Sequence, residues 1–532
     1  METSEIQAFC REKNVLLEAS LAQIFLSFED TNFFKFFLEK IKKISGKNFI
    51  TKSLLEKNKV EIRKFIEEFC LKNNLEKQFF YPSFENFLEE ERCNQINEVF
   101  SEEVEKPSLK ILSSPIMSGK KVEVKDFVSY FRNRYNLFKD ILEGEANLED
   151  LVSINKISES KQKFSVIGMV YDKKVTKNKN LILEIEDLTG KMKVLINADK
   201  VELLEKGEDI ALDSIIGFKG VGNKEILFVN EIFFPEANLA VRKKGFIEEQ
   251  ILFIGDIHYG SKNFLEKDFL AFINFLNNGS SEDFDVSKVK YVFIIGDLIT
   301  GIGNYPGQEA DLLIPNLEEQ FKGIASLLAK IRKDIKIIIS PGNHDCVRLM
   351  EPQPFLDEKY AWPLYELENV LLTSNPALLN VGETEVFEGF DVLTYHGFSF
   401  PYYANNIPSL MVEKTMNSPE KIMKYLLKNR HLAPSHSSTQ YFPSEKDELA
   451  IKKIPDIFVS GHTHKSGASY FNNILVISSS SWEGKTAYQE KFGNEPDHCK
   501  VVAFNTKTRE IKILDFESNP EENKIVGGKR ND

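Results

Sequence analysis

The chain has 532 residues, 42% of them hydrophobic, with five cysteines, eight histidines and a formal charge of −13. Such a length exceeds one hydrophobic core and implies about two to four globular domains rather than a disordered chain. Scattered cysteines without CxxC spacing exclude a disulfide framework and a zinc knuckle, and the acidity argues against gripping duplex DNA with the chain's own surface, because phosphate neutralisation needs clustered Lys and Arg.

Residues 1–95 read as a helical N-terminal region. Apolar positions recur at three to four residue spacing in EIQAFCREKNVLLEASLAQIFLSF, FFKFFLEKIKKI and IRKFIEEFCLKN. FFKFF is expected to be an aromatic core face rather than a docking motif. Residues 96–122 lose that period and gain Ser, Pro and Gly, which predicts a linker. No uninterrupted apolar run approaches the roughly 18 residues of a membrane span. The charged start METSEIQAFCREKN lacks a signal-type core, so a cytoplasmic protein without membrane contact is expected.

Residues 123–240 read as one amphipathic helix, DFVSYFRNRYNLFKDIL, followed by short β-rich runs. KFSVIGMVYDK, NLILEIEDLTGKMKVLI and SIIGFKGVGNKEILFVNEIFF break at TG and GN turns, as a five-stranded oligonucleotide-binding-type (OB) barrel would. Between 156 and 193, nine lysines face five acidic residues. This suits either a single-strand groove or, more often, a solvated hairpin face.

Residues 248–516 alternate short Val/Ile-rich runs with helical stretches, the pattern of strands buried on both faces in a layered α/β domain. KVVAFNTKTREIKIL reads as a hairpin near its end, and residues 517–532 as a disordered tail. The residues at the end of each strand are more informative. QILFIG runs into Asp256 and His258, KVKYVFIIG into Asp297, and IKIIIS into Asn343 and His344. FDVLTYH ends at His396, and PDIFVS runs into His462 and His464. Five of the eight histidines thus stand at strand C-terminal ends, where α/β sheets place their sites. Imidazole, carboxylate and amide oxygen form a mixed N/O donor set suited to Mn, Fe or Zn more than to an all-oxygen Mg site. Two such ions roughly 3.5–4 Å apart, bridged by one carboxylate, activate water and clamp a phosphoryl displacement.

GDIH, GDL, GNHD, a lone His and GHTH together resemble the calcineurin-like metallophosphoesterases. That resemblance implies one ion held by Asp256, His258, Asp297 and His464, and a second held by Asp297, Asn343, His396 and His462. It makes His344 the group that hydrogen-bonds or protonates the leaving oxygen, oriented by Asp345. YPGQ, SPGNHDCVRLMEPQP, SNPALLNV, RHLAP, PDIFVSGHTH and SWEGKTAYQ further resemble the small subunits of archaeal family D DNA polymerases. The resemblance covers roughly residues 120–516, and ISSSSWEGKT departs from the family's usual INSGTWQ. It implies a 3'-to-5' proofreading exonuclease with two divalent ions, manganese first, with Fe, Zn or Mg as alternatives. Its implied partners are a polymerase large subunit, a single-stranded DNA 3' end, and a sliding clamp or primase, at the nucleoid. A noncatalytic scaffold and a stand-alone phosphodiesterase are the alternatives. His431 and His436 could line a DNA entrance or be ordinary loop histidines.

Overall fold

A computed structural model describes residues 10, 13, 15–17, 31–45, 49–50, 108–115, 121–144, 148–279, 283–486, 489–490 and 495–518. These fall into two units, residues 1–104 with 118–120, and residues 105–117 with 121–532. In the first unit, a helix spans Thr31–Ser45, and two short strands, β1 (Leu16–Leu17) and β2 (Phe49–Ile50), pair in parallel. The helix buries Leu38 and Ile41 while Lys43 stays exposed, as the three-residue apolar spacing requires. The expectation of a purely helical region is corrected by this strand pair. Residues 51–95 lie outside the described residues, as do most of the expected linker and the tail from 519.

Part of that linker is not a linker. Leu109–Ser113 forms a strand, β3, whose Leu109 is buried and which pairs antiparallel with residues 378–381. The run LKILS has enough alternating apolar character to extend a sheet edge, which its Ser- and Pro-containing flanks obscured.

The expected amphipathic helix spans Val124–Glu143. After it, β4 (Gln162–Val175), β5 (Leu181–Glu186), β6 (Lys191–Ile196), β7 (Ile215–Gly222) and β8 (Ile226–Phe233) close a barrel in the order β4-β5-β6-β8-β7. Only β6 and β8 pair in parallel. LILEIE alternates as its sequence dictates, with Leu181, Leu183 and Ile185 in the barrel core and Ile182, Glu184 and Glu186 half-buried outside. On the lysine-rich face, Lys174 pairs with Asp172 and Glu184, and Lys191 with Glu186 while standing 4.0 Å over the Tyr171 ring. The barrel sits on helices that come later in the chain. Tyr425 donates to the Asp209 carbonyl at 2.8 Å, and the His436 N–H donates to Asp213 at 2.9 Å.

Two six-stranded sheets make the remainder. Strands β9 (Gln250–Ile254), β10 (Val289–Ile295), β11 (Lys336–Ser340) and β12 (Val370–Leu372) run in parallel. The second sheet holds β13 (Ala377–Val381), β14 (Phe390–Thr394), β15 (Ile457–Ser460), β16 (Gly467–Phe471) and β17 (Ile474–Ser478), in the order β16-β17-β15-β14-β13-β3. The hairpin of β18 (Lys500–Asn505) and β19 (Ile511–Asp515) joins the first sheet through β9. All residues of β9, β11, β14, β15 and β17 are buried, which is why these strands read as continuous apolar runs. Phe390 of β14 meets Phe504 of β18 edge to face at 5.5 Å, joining the two sheets.

Candidate metal centre

The first sheet delivers Asp256, Asp297 and Asn343 just past β9, β10 and β11, and the second delivers His396, His462 and His464 past β14 and β15. Each sheet thus contributes half of one cluster. Asp256, His258 and His464 place one ligand atom each within 4.8 Å of one another, as do Asp297, His396 and His462, and as do His258, Asp297 and His344. Asn343 completes the second group, its Oδ1 3.0 Å from His396 Nε2. All seven expected ligands are therefore brought together, with His344 beside them.

The backbone is bent hard to achieve this. Asp256, His258, Asp297, His462 and His464 all have φ between 48° and 67°. That left-handed conformation costs a non-glycine residue on the order of 1–3 kcal/mol and persists where the surroundings enforce it. Two glycines make the crowding possible. A Cβ on Gly342 would lie 2.3 Å from Asp297 Oδ1, and one on Gly296 would lie 2.2 Å from His396 Nδ1.

The groups behind the ligands fix which nitrogen is presented. His396 Nδ1 lies 3.0 Å from the Ile295 carbonyl, which can only accept, so Nδ1 carries the proton and Nε2 faces Asp297 Oδ2 at 3.2 Å. Both oxygens of Asp256 accept from the His462 N–H at 3.0 Å. Gln489 reaches His464 Nδ1 at 2.9 Å. The expected orientation of His344 by Asp345 is corrected. The Asp345 carboxylate is occupied by the N–H groups of Ile299 and Gly342, at 3.0 and 2.8 Å. His344 Nδ1 instead lies 2.9 Å from the Thr300 carbonyl.

Electrostatically, the site is built for cations. Burial pushes the Asp256 carboxyl well above the usual carboxylate range. Burial also raises Asp297, but His396, then His344 and His258, outweigh it and hold that carboxyl well below the usual range. Burial, with neighbouring His396, depresses His462 to about 3, and burial depresses His464 to about 3 and His258 well below its ordinary value. Burial would lower His396 as well, but Asp297 raises it to about 10. Among the described residues, Asp256 and Asp297 form ion pairs with histidines only. Buried carboxylates without a Lys or Arg, next to neutral imidazoles, are the donor set of divalent metal ions. The residues present therefore fit such ions, with Asn343, His344 and His462 half-buried on the open side.

Residues 250–466 match the calcineurin-like phosphoesterase family model. The DNA polymerase II small subunit of Methanothermobacter thermautotrophicus is 35% identical over 398 residues, covering 74% of this chain and 80% of the relative. The chain belongs to the DNA polymerase II small-subunit family. Its similarity to the family's Methanocaldococcus jannaschii member is 37% over 410 residues, covering 75% of this chain and 67% of that one. For the Pyrococcus furiosus member it is 36% over 411 residues, covering 75% of this chain and 65% of that one. These alignments leave about a quarter of this chain unmatched.

Sequence reasoning missed three groups in this family's centre. The Thr300 carbonyl has no side-chain signature. Gln489 was visible only inside SWEGKTAYQ. Glu483 is 7% exposed and raised to about 7 by burial. His431 does not line an entrance: it is 2% exposed, its Nε2 2.8 Å from Asp447 Oδ2.

Proposed function

We propose that this chain is the 3'-to-5' proofreading exonuclease subunit of a family D DNA polymerase, hydrolysing single-stranded DNA ends with two divalent ions, manganese foremost. The observation that carries the reading is the complete seven-residue donor set converging from both sheets on the shared carboxylate Asp297. A scaffold without catalytic work has no need of five ligands held in left-handed backbone.

Asp256, His258, Asp297 and His464 would hold one divalent ion and Asp297, Asn343, His396 and His462 a second, and such ions would supply water activation and charge neutralisation at the phosphoryl group. The chain's own residues do the rest. Asp297 stands between the two ligand groups, its Oδ1 accepting from the His344 N–H at 2.8 Å and its Oδ2 facing His396. His344, anchored at Nδ1, keeps its other nitrogen free to deliver a proton to the departing 3' oxygen. The half-buried edge of Asn343, His344 and His462 leaves room for the scissile phosphate.

The barrel is read as OB-type, and, packed on the later helices through Asp209 and Asp213, it acts as a docking and orienting module. At a charge of −13 the chain leaves most of the DNA grip to a basic polymerase large subunit. A sliding clamp or primase nearby and a cytoplasmic, nucleoid-associated location belong to the same reading. Among the described residues, no helix is long and apolar enough to cross a membrane.

The test is the Asp297→Ala variant of the full chain, assayed with manganese on 3'-labelled single-stranded DNA, alone and with the large subunit. Loss of all 3' trimming is expected. Trimming at the native rate by this variant would end the reading.

A further inference from the structure

We propose that Phe398, in TYHGFS, is a specificity-determining residue whose ring stacks on a nucleobase flanking the scissile phosphate and so selects unpaired DNA ends. The choice of ligand rests on the nuclease reading; the placement of the ring does not.

The chain leaves β14 through a buried run. Tyr395, His396, Ser399 and Phe400 are each 0% exposed, and between them only Phe398 is half-buried. A single exposed apolar side chain needs no special account on an ordinary surface. This one stands against the metal centre. The ring centres of Phe398 and His462 are 5.6 Å apart and meet edge to face at 61°. An edge contact covers at most one face of Phe398, and among the described residues His462 is its only aromatic neighbour. Phe400, two positions on, joins the core that packs on the second sheet, whereas Phe398 packs into neither of the two cores that flank the centre.

The backbone holds the ring at that rim from both sides. Gly397, with φ 110°, turns the chain from the buried His396 toward the open side, and its carbonyl accepts from the Phe400 N–H at 2.9 Å. Ser399 Oγ donates to the Leu432 carbonyl at 2.8 Å. A ring anchored in this way loses little further freedom when a ligand lies on it.

The ligand follows from what the neighbouring side chains would hold. His462 is itself half-buried on the open side of the group formed with Asp297, Asn343 and His396, where a phosphoryl group would sit. In a DNA strand the planar group nearest a phosphate is a base. Phenylalanine offers a face and no hydrogen-bonding atom, so it accepts any of the four bases, as removal of arbitrary misincorporated nucleotides requires. A base paired within a duplex must first leave its neighbours and its partner, which costs free energy that an unpaired end does not spend. The same ring therefore favours single-stranded ends without reading sequence.

The test compares the full chain with Phe398→Ala and Phe398→Trp on two single strands, one natural and one abasic at both residues flanking the last linkage. Initial rates with manganese give KM. Fluorescence anisotropy of the 5'-fluorescein strands, in the slow His344→Ala background, gives Kd apart from activity. The native ring should bind the natural strand roughly tenfold to a hundredfold more tightly than the abasic one. Phe398→Ala should lose that preference, chiefly through weaker binding of the natural strand, while Phe398→Trp keeps it and bound manganese stays unchanged in both. A native chain indifferent to the missing bases, or a Phe398→Ala chain that still distinguishes them, would overturn the proposal. Loss of manganese from Phe398→Ala would also overturn it, since the ring would then serve to pack His462. Base-dependent binding without any cleavage would end the nuclease reading and leave the stacking platform standing; cleavage without base preference would do the reverse.

Discussion

His344 has its Nδ1 against a peptide carbonyl, as His396 does, but its backbone N–H binds the shared carboxylate Asp297 at 2.8 Å. The ring therefore stands beside the donor set without being needed to complete it. His344→Ala removes proton delivery and keeps the seven ligands, so kcat should fall by on the order of 10²–10⁴ with bound metal nearly unchanged. Metal analysis alongside single-turnover cleavage checks both halves, and loss of the ions together with activity would make His344 a ligand instead. Asp345 belongs to a different layer: its carboxylate, raised to about 7 by burial and the charge of Asp297, braces the Gly342 and Ile299 peptides that shape the loop.

Whole elements are tied down by a buried ionic cluster away from the centre. The helix Val124–Glu143 places Arg134, 1% exposed, against Asp447, with Tyr130 donating to Asp447 at 2.7 Å and His431 bonded to the same carboxylate. Burial, then the charge of Arg134, depresses His431 to about 4, so the ring is neutral when folded. In the unfolded chain it binds a proton below about 6.5. Between those values the unfolded state holds more protons, so stability rises with pH across that window and is lost as pH falls from about 6.5 toward 4. Asp447, held well below its ordinary value chiefly by Arg134 against the effect of burial, adds a loss of the same sign at lower pH. Denaturant unfolding of native and His431→Gln protein across that window should show a flatter curve for the variant; parallel curves would remove His431 from the account. The two kinds of element were not equally legible in sequence. Strands β9, β10, β11, β14 and β15 could be read because each is a short apolar run that stops abruptly at a polar ligand. Strand β3 could not, since LKILS pairs with a segment more than 260 residues away and owes its place to that partner rather than to its own pattern. Likewise the ligand identities were visible, whereas the left-handed φ of five of them and the Thr300 carbonyl are properties of backbone path, which residue types do not record.

On the scale of the molecule, the two sheets meet with carboxylates at their shared rim. Asp256 and Asp297 are 0% and 2% exposed, paired only with imidazoles among the described residues. Burial, and after it the charge of Asp297, raise the Asp256 carboxyl, so these like charges repel; His258, His462 and His464 are depressed rather than cationic, whereas His396 is raised. Cations bound there relieve that repulsion in the folded state and have no equivalent site in the unfolded chain. Binding and folding are therefore linked, and a free ion concentration of about 100 times Kd adds about 2.7 kcal/mol per site. For a domain the size of residues 248–516, each kcal/mol moves the unfolding midpoint by roughly 2–4 °C. Dialysis against a chelator, which empties both sites, should thus lower the thermal midpoint by roughly 10–20 °C, and added manganese should restore it. Asp297→Ala, lacking the carboxylate common to both groups, should show little of this metal-dependent shift. A native midpoint indifferent to chelation would mean that the folded chain tolerates these acids without a cation, and the donor set would lose its claim to be a metal centre.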